Sequence, residues 1–236
     1  MLDFRDQFFY FLDKIDKWEN FSISRYWDWE KMLIEGRDVT ECSQARAQDK
    51  RKSVWMTKLW EALGKTLDVV DKNYYYAIPC SCCNNKWKIR YMDNVKSHYF
   101  TYANLFINNN YQFFREWLKL LTRSVIVMAN YEWQDKEYPF TVKQFIPVWD
   151  DCANYFERHH KAFINKCKKL AKENKNQLFF ISAWPLANIV VYEMYKQNPN
   201  NTYIDVWSAL DEFTKWRITR WFQRREDVYA QRYCIF

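Results

Sequence analysis

The chain has 236 residues, of which 49% are hydrophobic, and this is enough to bury the core of one large domain or two small ones. No run of about 18 apolar residues occurs in the sequence, so no membrane span is expected. The net charge of +7 suits an anionic partner, although the basic residues are interleaved with acids, as is typical of solvated helix faces.

The spacing of apolar residues predicts helices and strands that alternate along the chain. In order, we predict helix 2–17, strand 21–26, short helix 29–34, a polar excursion at 38–52, helix 54–67, strand 74–78, helices 100–106 and 111–121, strands 123–129 and 140–148, helix 150–173, strand 178–183, helix 185–196 and strand 203–206. This alternation favours a mostly parallel sheet with helices on both faces. Since no repeat or low-complexity linker interrupts the sequence, we expect one domain, with an N-terminal helix at 1–19, a core at 20–221 and a tail at 222–236.

The sequence contains seven cysteines and lacks the basic-then-apolar start of a secretory signal. An odd number of cysteines without an export signal favours reduced thiols and a cytoplasmic location. Cys80, Cys82 and Cys83 form one cluster, but neither Cys152 nor the histidine pair at 159–160 lies at a spacing typical of zinc sites. We therefore expect reduced thiols near a pocket rather than zinc ligands.

Glycine and tryptophan occur in unusual proportions. At an average usage of about 7%, a chain of this length has roughly 16 glycines, but this sequence has two, Gly36 and Gly64. Tryptophan, which is normally rare, occurs 13 times. Together the two residue types number 15, close to the number of glycines expected alone.

Two carboxylates, Asp28 and Glu30, directly follow the predicted strand at 21–26. Carboxylate oxygens suit Mg²⁺ or Mn²⁺, and side chains one residue apart on turn or extended backbone can face one cation. The alternative is an acid pair at a helix N-terminus, where negative charge opposes the helix dipole. The spacing alone leaves both interpretations open.

Two further segments place polar groups where a predicted strand ends. Residues 181–188 run from a strand into a helix N-terminus, which offers backbone N–H groups to phosphate. Residues 203–211 place Asp205 and Ser208 at the end of the last strand. In parallel α/β sheets ligands bind at this edge. Ordinary strand–helix connections remain the alternative, with Asp211 as a helix cap.

These segments together resemble a known family. Residues 21–30 are similar to a signature in which serine, arginine and an aromatic residue precede Gly-Asp-Gly-Glu. Residues 182–185 resemble a strand that ends in Ala-Gly-Pro, residues 204–211 resemble Ile-Asp-x-Gly-Ser followed by aspartate, and residues 215–221 resemble Gly-x-x-Thr-Arg-Gly. With all four motifs in order, the chain resembles the GT-D-type glycosyltransferases.

The resemblance implies a Rossmann-like three-layer α/β domain that transfers a hexosyl or pentosyl group from a nucleotide sugar, expected to be UDP-linked, to a glycan, glycoprotein or glycolipid acceptor. Asp28 and Glu30 match the family's Asp-x-Glu element, which holds Mn²⁺ or Mg²⁺ and the donor diphosphate. The motif positions expected near the donor pocket are Arg25, Pro185, Asp205, Ser208 and Arg220. The resemblance identifies no catalytic base and implies no nucleic-acid partner.

The sequence departs from the family in one systematic way. Tryptophan stands where the family has glycine at residues 27, 29, 184, 207, 216 and 221. Some bacterial genetic codes read UGA as glycine, whereas other translation tables render it as tryptophan. We hypothesise that many of these tryptophans are recoded glycines, an idea that the low glycine count supports independently. Trp117 fits an amphipathic helix and is expected to be genuine.

Two other functions compete with glycosyl transfer. A single-stranded nucleic-acid-binding module is consistent with the net charge of +7 and the 20% aromatic content, which supply basic flanks and stacking platforms. A non-catalytic glycosyltransferase-like scaffold is favoured if the tryptophans are genuine, because large indoles crowd loops that must approach phosphate.

Overall fold

The computed structural model describes residues 3–27, 30–32, 35, 57–149, 152–215 and 220–224. In these residues seven strands form one sheet in the order β3-β2-β1-β7-β6-β4-β5, and every neighbouring pair is parallel. The strands are β1 (Ser22–Arg25), β2 (Tyr74–Ile78), β3 (Phe100–Tyr102), β4 (Val125–Asn130), β5 (Val142–Val148), β6 (Leu178–Ser182) and β7 (Thr202–Asp205). The parallel sheet that the sequence predicts is confirmed.

Helices connect these strands and cover both faces of the sheet. The described helices are α1 (Phe4–Asp16), α2 (Thr57–Lys65), α3 (Ser81–Asn94), α4 (Tyr111–Leu120), α5 (Cys152–Glu173), α6 (Ala187–Gln197) and α7 (Asp211–Lys215). Within the described residues, no helix combines the length and apolar character that crossing a membrane requires.

Alternate residues of each strand enter different apolar clusters, which produces three layers. In β4, Ile126 and Met128 pack with buried residues of α2, α5 and α6 on one face. Val125 and Val127 pack with buried residues of α1 and α4 on the other face. The chain is therefore a Rossmann-like, three-layer α/β domain, as the resemblance implies.

One predicted helix is absent from the structure, and one observed helix was not predicted. The helix predicted at 100–106 is wrong, because Phe100–Tyr102 forms edge strand β3 and pairs in parallel with β2. Backbone bonds to the neighbouring strand decide this short segment, and the Ala103 N–H extends the pairing by donating to the Ile78 carbonyl at 2.8 Å. Helix α3 was not predicted. Tyr91 is its only fully buried residue, so its sequence carries no apolar stripe.

Helix α1 ends in a turn that normally contains glycine. The Trp18 N–H donates to the Ile15 carbonyl at 3.1 Å, and the Glu19 N–H donates to the Lys14 carbonyl at 2.9 Å. These two bonds define a Schellman motif, in which the residue after the helix adopts the left-handed conformation. Trp18 occupies that position with φ of 60°. Glycine is the usual residue there, because any Cβ is strained at positive φ.

Four described residues other than glycine have positive φ: Trp18, Asn108, Asn176 and Trp207. Asparagine tolerates this conformation, since its short side chain can bond to the local backbone. An indole has no such compensation. Trp18 belongs to none of the four family motifs, so its geometry supports glycine recoding independently of the resemblance.

Candidate functional site

The carboxyl ends of β1, β7 and β6 meet near the centre of the sheet. The connection from β1 to β2 contains α2 on one face of the sheet, whereas Ala209 and Leu210, which follow β7, pack on the other face. The boundary between β1 and β7 is therefore the topological switch point, where ligands of open α/β sheets bind. Ile23 pairs with Ile204, so Arg25 and Asp205 emerge at this same edge.

Arg25 is held rigidly at the end of β1. Its side chain is 5% exposed, and its Nε donates to the Ala103 carbonyl at 3.0 Å. Its guanidinium carbon lies 3.9 Å from the centroid of the Trp207 ring and 5.5 Å from that of Trp27. These distances are typical of a cation stacked on aromatic faces.

Arg220 approaches the same indole. Its guanidinium carbon lies 5.3 Å from the Trp207 ring centroid. Its Nε is 3.8 Å from the buried Asp211 carboxylate, which also pairs with the Lys215 ammonium at 2.7 Å. Trp207 therefore lies against two guanidinium groups that come from distant parts of the sequence.

Two buried carboxyl groups, Asp205 beside Arg25 and Glu30 beside Asp205, lie at the same edge of the sheet. Asp205 is 6% exposed and accepts a hydrogen bond from the Trp207 N–H at 3.0 Å. Burial raises its pKa to about 7, Arg25 opposes the rise, and the negative charge of Glu30 adds to it. Glu30 is also buried and accepts a bond from the Trp27 N–H at 2.9 Å. Asp28 lies outside the described residues.

The loops after β6 and β7 are joined to each other. The Ser182 hydroxyl donates to the Trp207 carbonyl at 2.6 Å. Ser208 is buried, and within the described part of the chain its Oγ has no hydrogen-bond partner. Pro185 is buried in the connection from β6 to α6, where the Leu186 N–H donates to the Ala183 carbonyl. The structure thus places Pro185 in a loop that adjoins the group formed by Arg25, Asp205, Ser208 and Arg220.

The tryptophans at family glycine positions differ in conformation. Trp207 has φ of 46°, within the left-handed region that glycine favours. Trp184 and Trp221 are exposed, and Trp27 is partly buried. Residues 29 and 216 lie outside the described residues. At Trp207, therefore, backbone geometry and family resemblance both indicate glycine.

Asn188 is a positioning residue that sequence reasoning did not single out. Its Nδ2 donates to the Arg25 carbonyl at 2.6 Å and to the Ser24 hydroxyl at 3.3 Å. The sequence signal was a single amide near the start of an otherwise apolar run, and the structure buries this amide in helix α6. A buried amide requires partners, and here the partners fix the end of β1.

Replacing Asn188 with alanine is expected to lower the free energy of unfolding by about 1–3 kcal/mol, because the Arg25 carbonyl loses its buried donor. Urea denaturation measures this change. The matched control is Gln197→Ala, an exposed position on the same helix, which should change stability by less than about 0.5 kcal/mol. Equal effects of the two substitutions would contradict the positioning role.

Neither known protein families nor curated proteins match this sequence. A solved structure does match: the highly conserved domain of unknown function 1792, described as having a distinct glycosyltransferase fold. The TM-score is 0.60 at 14% sequence identity, over 91% of this chain and 80% of that chain. The chain has a glycosyltransferase-like fold. At this identity the similarity shows the fold alone.

Proposed function

We propose that the chain is a metal-dependent glycosyltransferase that moves a sugar from a UDP-sugar to a glycan, glycoprotein or glycolipid. The observation that carries this proposal is the meeting of two arginines and two buried carboxyl groups at the switch point of a glycosyltransferase-like fold. A nucleotide-sugar site needs positive side chains for the diphosphate and negative carboxylates for a divalent metal.

The two arginines supply the cationic half of the site. As the sugar leaves, negative charge grows on the departing diphosphate, and guanidinium groups stabilise phosphate oxygens through paired hydrogen bonds. The bond from Arg25 Nε to the Ala103 carbonyl orients the guanidinium before substrate arrives. The Ser208 hydroxyl is a further donor for a phosphate or ribose oxygen.

The carboxylates supply the metal-binding half. Asp28 and Glu30 would hold Mn²⁺ or Mg²⁺, and the buried Asp205 lies near enough for its pKa to respond to the charge of Glu30. This donor set of carboxylate oxygens fits a hard divalent cation. When bound, the cation would neutralise charge on the leaving diphosphate.

Position 207 decides whether this site is open. The Trp207 indole lies against both guanidinium groups, so it fills space that a diphosphate between them requires. We propose that the active protein has glycine there and at the other family glycine positions. The gene tests this directly, because UGA codons at 27, 29, 184 and 207 agree with recoding and UGG codons contradict it.

The functional test uses a glycine-restored protein, in which glycine replaces tryptophan at residues 27, 29, 184, 207, 216 and 221. We expect it to bind UDP-sugars in a Mn²⁺-dependent manner and to release UDP slowly by hydrolysis. Asp28→Ala and Glu30→Gln should each abolish this Mn²⁺-dependent binding. Asp13→Asn is the matched control, since Asp13 forms an exposed pair with Lys17 on α1. Calorimetry measures binding, and a coupled assay measures UDP release.

Other outcomes assign the alternative functions. A folded, glycine-restored protein that binds no UDP-sugar with Mn²⁺ would indicate a non-catalytic scaffold. Salt-sensitive binding to single-stranded nucleic acid that Asp28→Ala leaves unchanged would indicate a nucleic-acid-binding module. Either result contradicts the proposed activity.

A further inference from the structure

Three thiols converge in the connection between β2 and α3. The sulfur atoms of Cys80 and Cys82 are 3.0 Å apart, and those of Cys82 and Cys83 are 3.8 Å apart. All three sulfur atoms lie within 4.8 Å of one another. The short sequence Cys-Ser-Cys-Cys therefore presents three sulfur atoms to one point in space.

The surroundings of this trithiol cluster, formed by Cys80, Cys82 and Cys83, suit a bound cation. Cys80 is buried and Cys82 is exposed, so the cluster has both a packed base and an opening to solvent. The Asn104 side-chain amide donates to Cys83 Sγ at 3.2 Å, as amides do to metal-bound thiolates. The Lys88 ammonium donates to the Ser81 hydroxyl at 2.9 Å, and a positive charge beside the turn favours the thiolate form that binds metal.

Although the spacing in the sequence predicts reduced thiols rather than zinc ligands, the three sulfur atoms converge in the fold. We propose that the trithiol cluster binds one Zn²⁺ through three thiolates, with a fourth coordination position left for another ligand. Tetrahedral zinc with bonds of about 2.3 Å places its sulfur ligands roughly 3.8 Å apart. The Cys82–Cys83 separation has this value, and Cys80 and Cys82 need to move apart by less than about 1 Å. Each thiol loses its proton on binding, and no electron is transferred.

The zinc site is chemically distinct from the carboxylate site. Thiolates are soft ligands that select zinc, whereas carboxylates select Mg²⁺ or Mn²⁺. The two regions are nevertheless linked, since Asn104 contacts Cys83 and the preceding residue, Ala103, accepts the bond from Arg25. Bound zinc would therefore fix the loop that orients Arg25. This inference does not depend on glycosyl transfer.

Metal analysis of the full chain, purified under reducing conditions, tests the proposal. We expect about one zinc per chain, and Co²⁺ in its place should give the near-ultraviolet charge-transfer absorption of thiolate ligands. The double variant Cys82→Ser, Cys83→Ser should lose the metal and this absorption. Cys167→Ala is the control, because burial raises the pKa of the Cys167 thiol to about 12 and keeps it protonated.

Three results would overturn the proposal. One is a folded, reduced wild-type protein that takes up no zinc and shows no cobalt–thiolate absorption. Another is metal binding that survives in the double variant. The third is an intact mass that has lost hydrogen through a disulfide within the cluster after purification in reductant. If the double variant does not fold, zinc-dependent thermal stabilisation of the wild type, reversed by a chelator, supports the proposal and its absence contradicts it.

Discussion

The glycine-restored protein is expected to bind UDP, in the presence of Mn²⁺, at least about tenfold more tightly than a matched protein that retains Trp207. The indole lies 3.9 Å from the Arg25 guanidinium carbon and 5.3 Å from that of Arg220. Without it, both cations can bond to phosphate, and hydrogen bonds from charged groups contribute about 1.5–3 kcal/mol each. Calorimetric titration with UDP measures the difference.

Two comparisons separate an open pocket from a general effect of losing tryptophan. In the matched protein that retains Trp207, Trp149→Gly removes an exposed indole that follows β5 and should leave the affinity for UDP unchanged. Arg220→Ala in the glycine-restored protein should reverse most of the gain. If retaining Trp207 does not weaken binding, or if Trp149→Gly strengthens it equally, the indole does not block the site.

The difference in stability between glycine and alanine should have opposite signs at two tryptophan positions. At residue 18, glycine is expected to be more stable than alanine by about 1 kcal/mol, because alanine keeps a Cβ at positive φ. At residue 117, within helix α4, alanine is expected to be more stable than glycine by about 1 kcal/mol. Urea denaturation of the four variants measures both differences.

The comparison of glycine with alanine removes the contribution of the indole itself. Both replacements of Trp18 lose its stacking on Arg123, whose guanidinium carbon lies 4.8 Å from the ring centroid. Both replacements of Trp117 lose the hydrogen bonds from its Nε1 to Asp16. Alanine as stable as glycine at residue 18 would contradict the Schellman geometry and the case for recoding there.

The parallel sheet was predicted correctly because strands and helices alternate along the chain, and because β4 and β6 are the apolar runs that a sheet with two covered faces requires. Edge strand β3 and helix α3 were missed because the sequence of each carries little pattern of apolar residues. Phe100–Tyr102 is short and takes its conformation from pairing with β2, and α3 carries few buried side chains. Where neighbouring elements decide the conformation, local spacing carries little information.

For the candidate site, the sequence determined which residue types stand at the ends of β1, β6 and β7, and parallel topology placed them at one edge. Only the tertiary structure showed that Arg25 and Arg220 share the Trp207 ring, that Asn188 holds the end of β1, and that three thiols converge. Such contacts depend on side-chain packing between segments far apart in the chain. The shortage of glycine is visible in the composition, but the backbone angles at Trp18 and Trp207 give it a physical location.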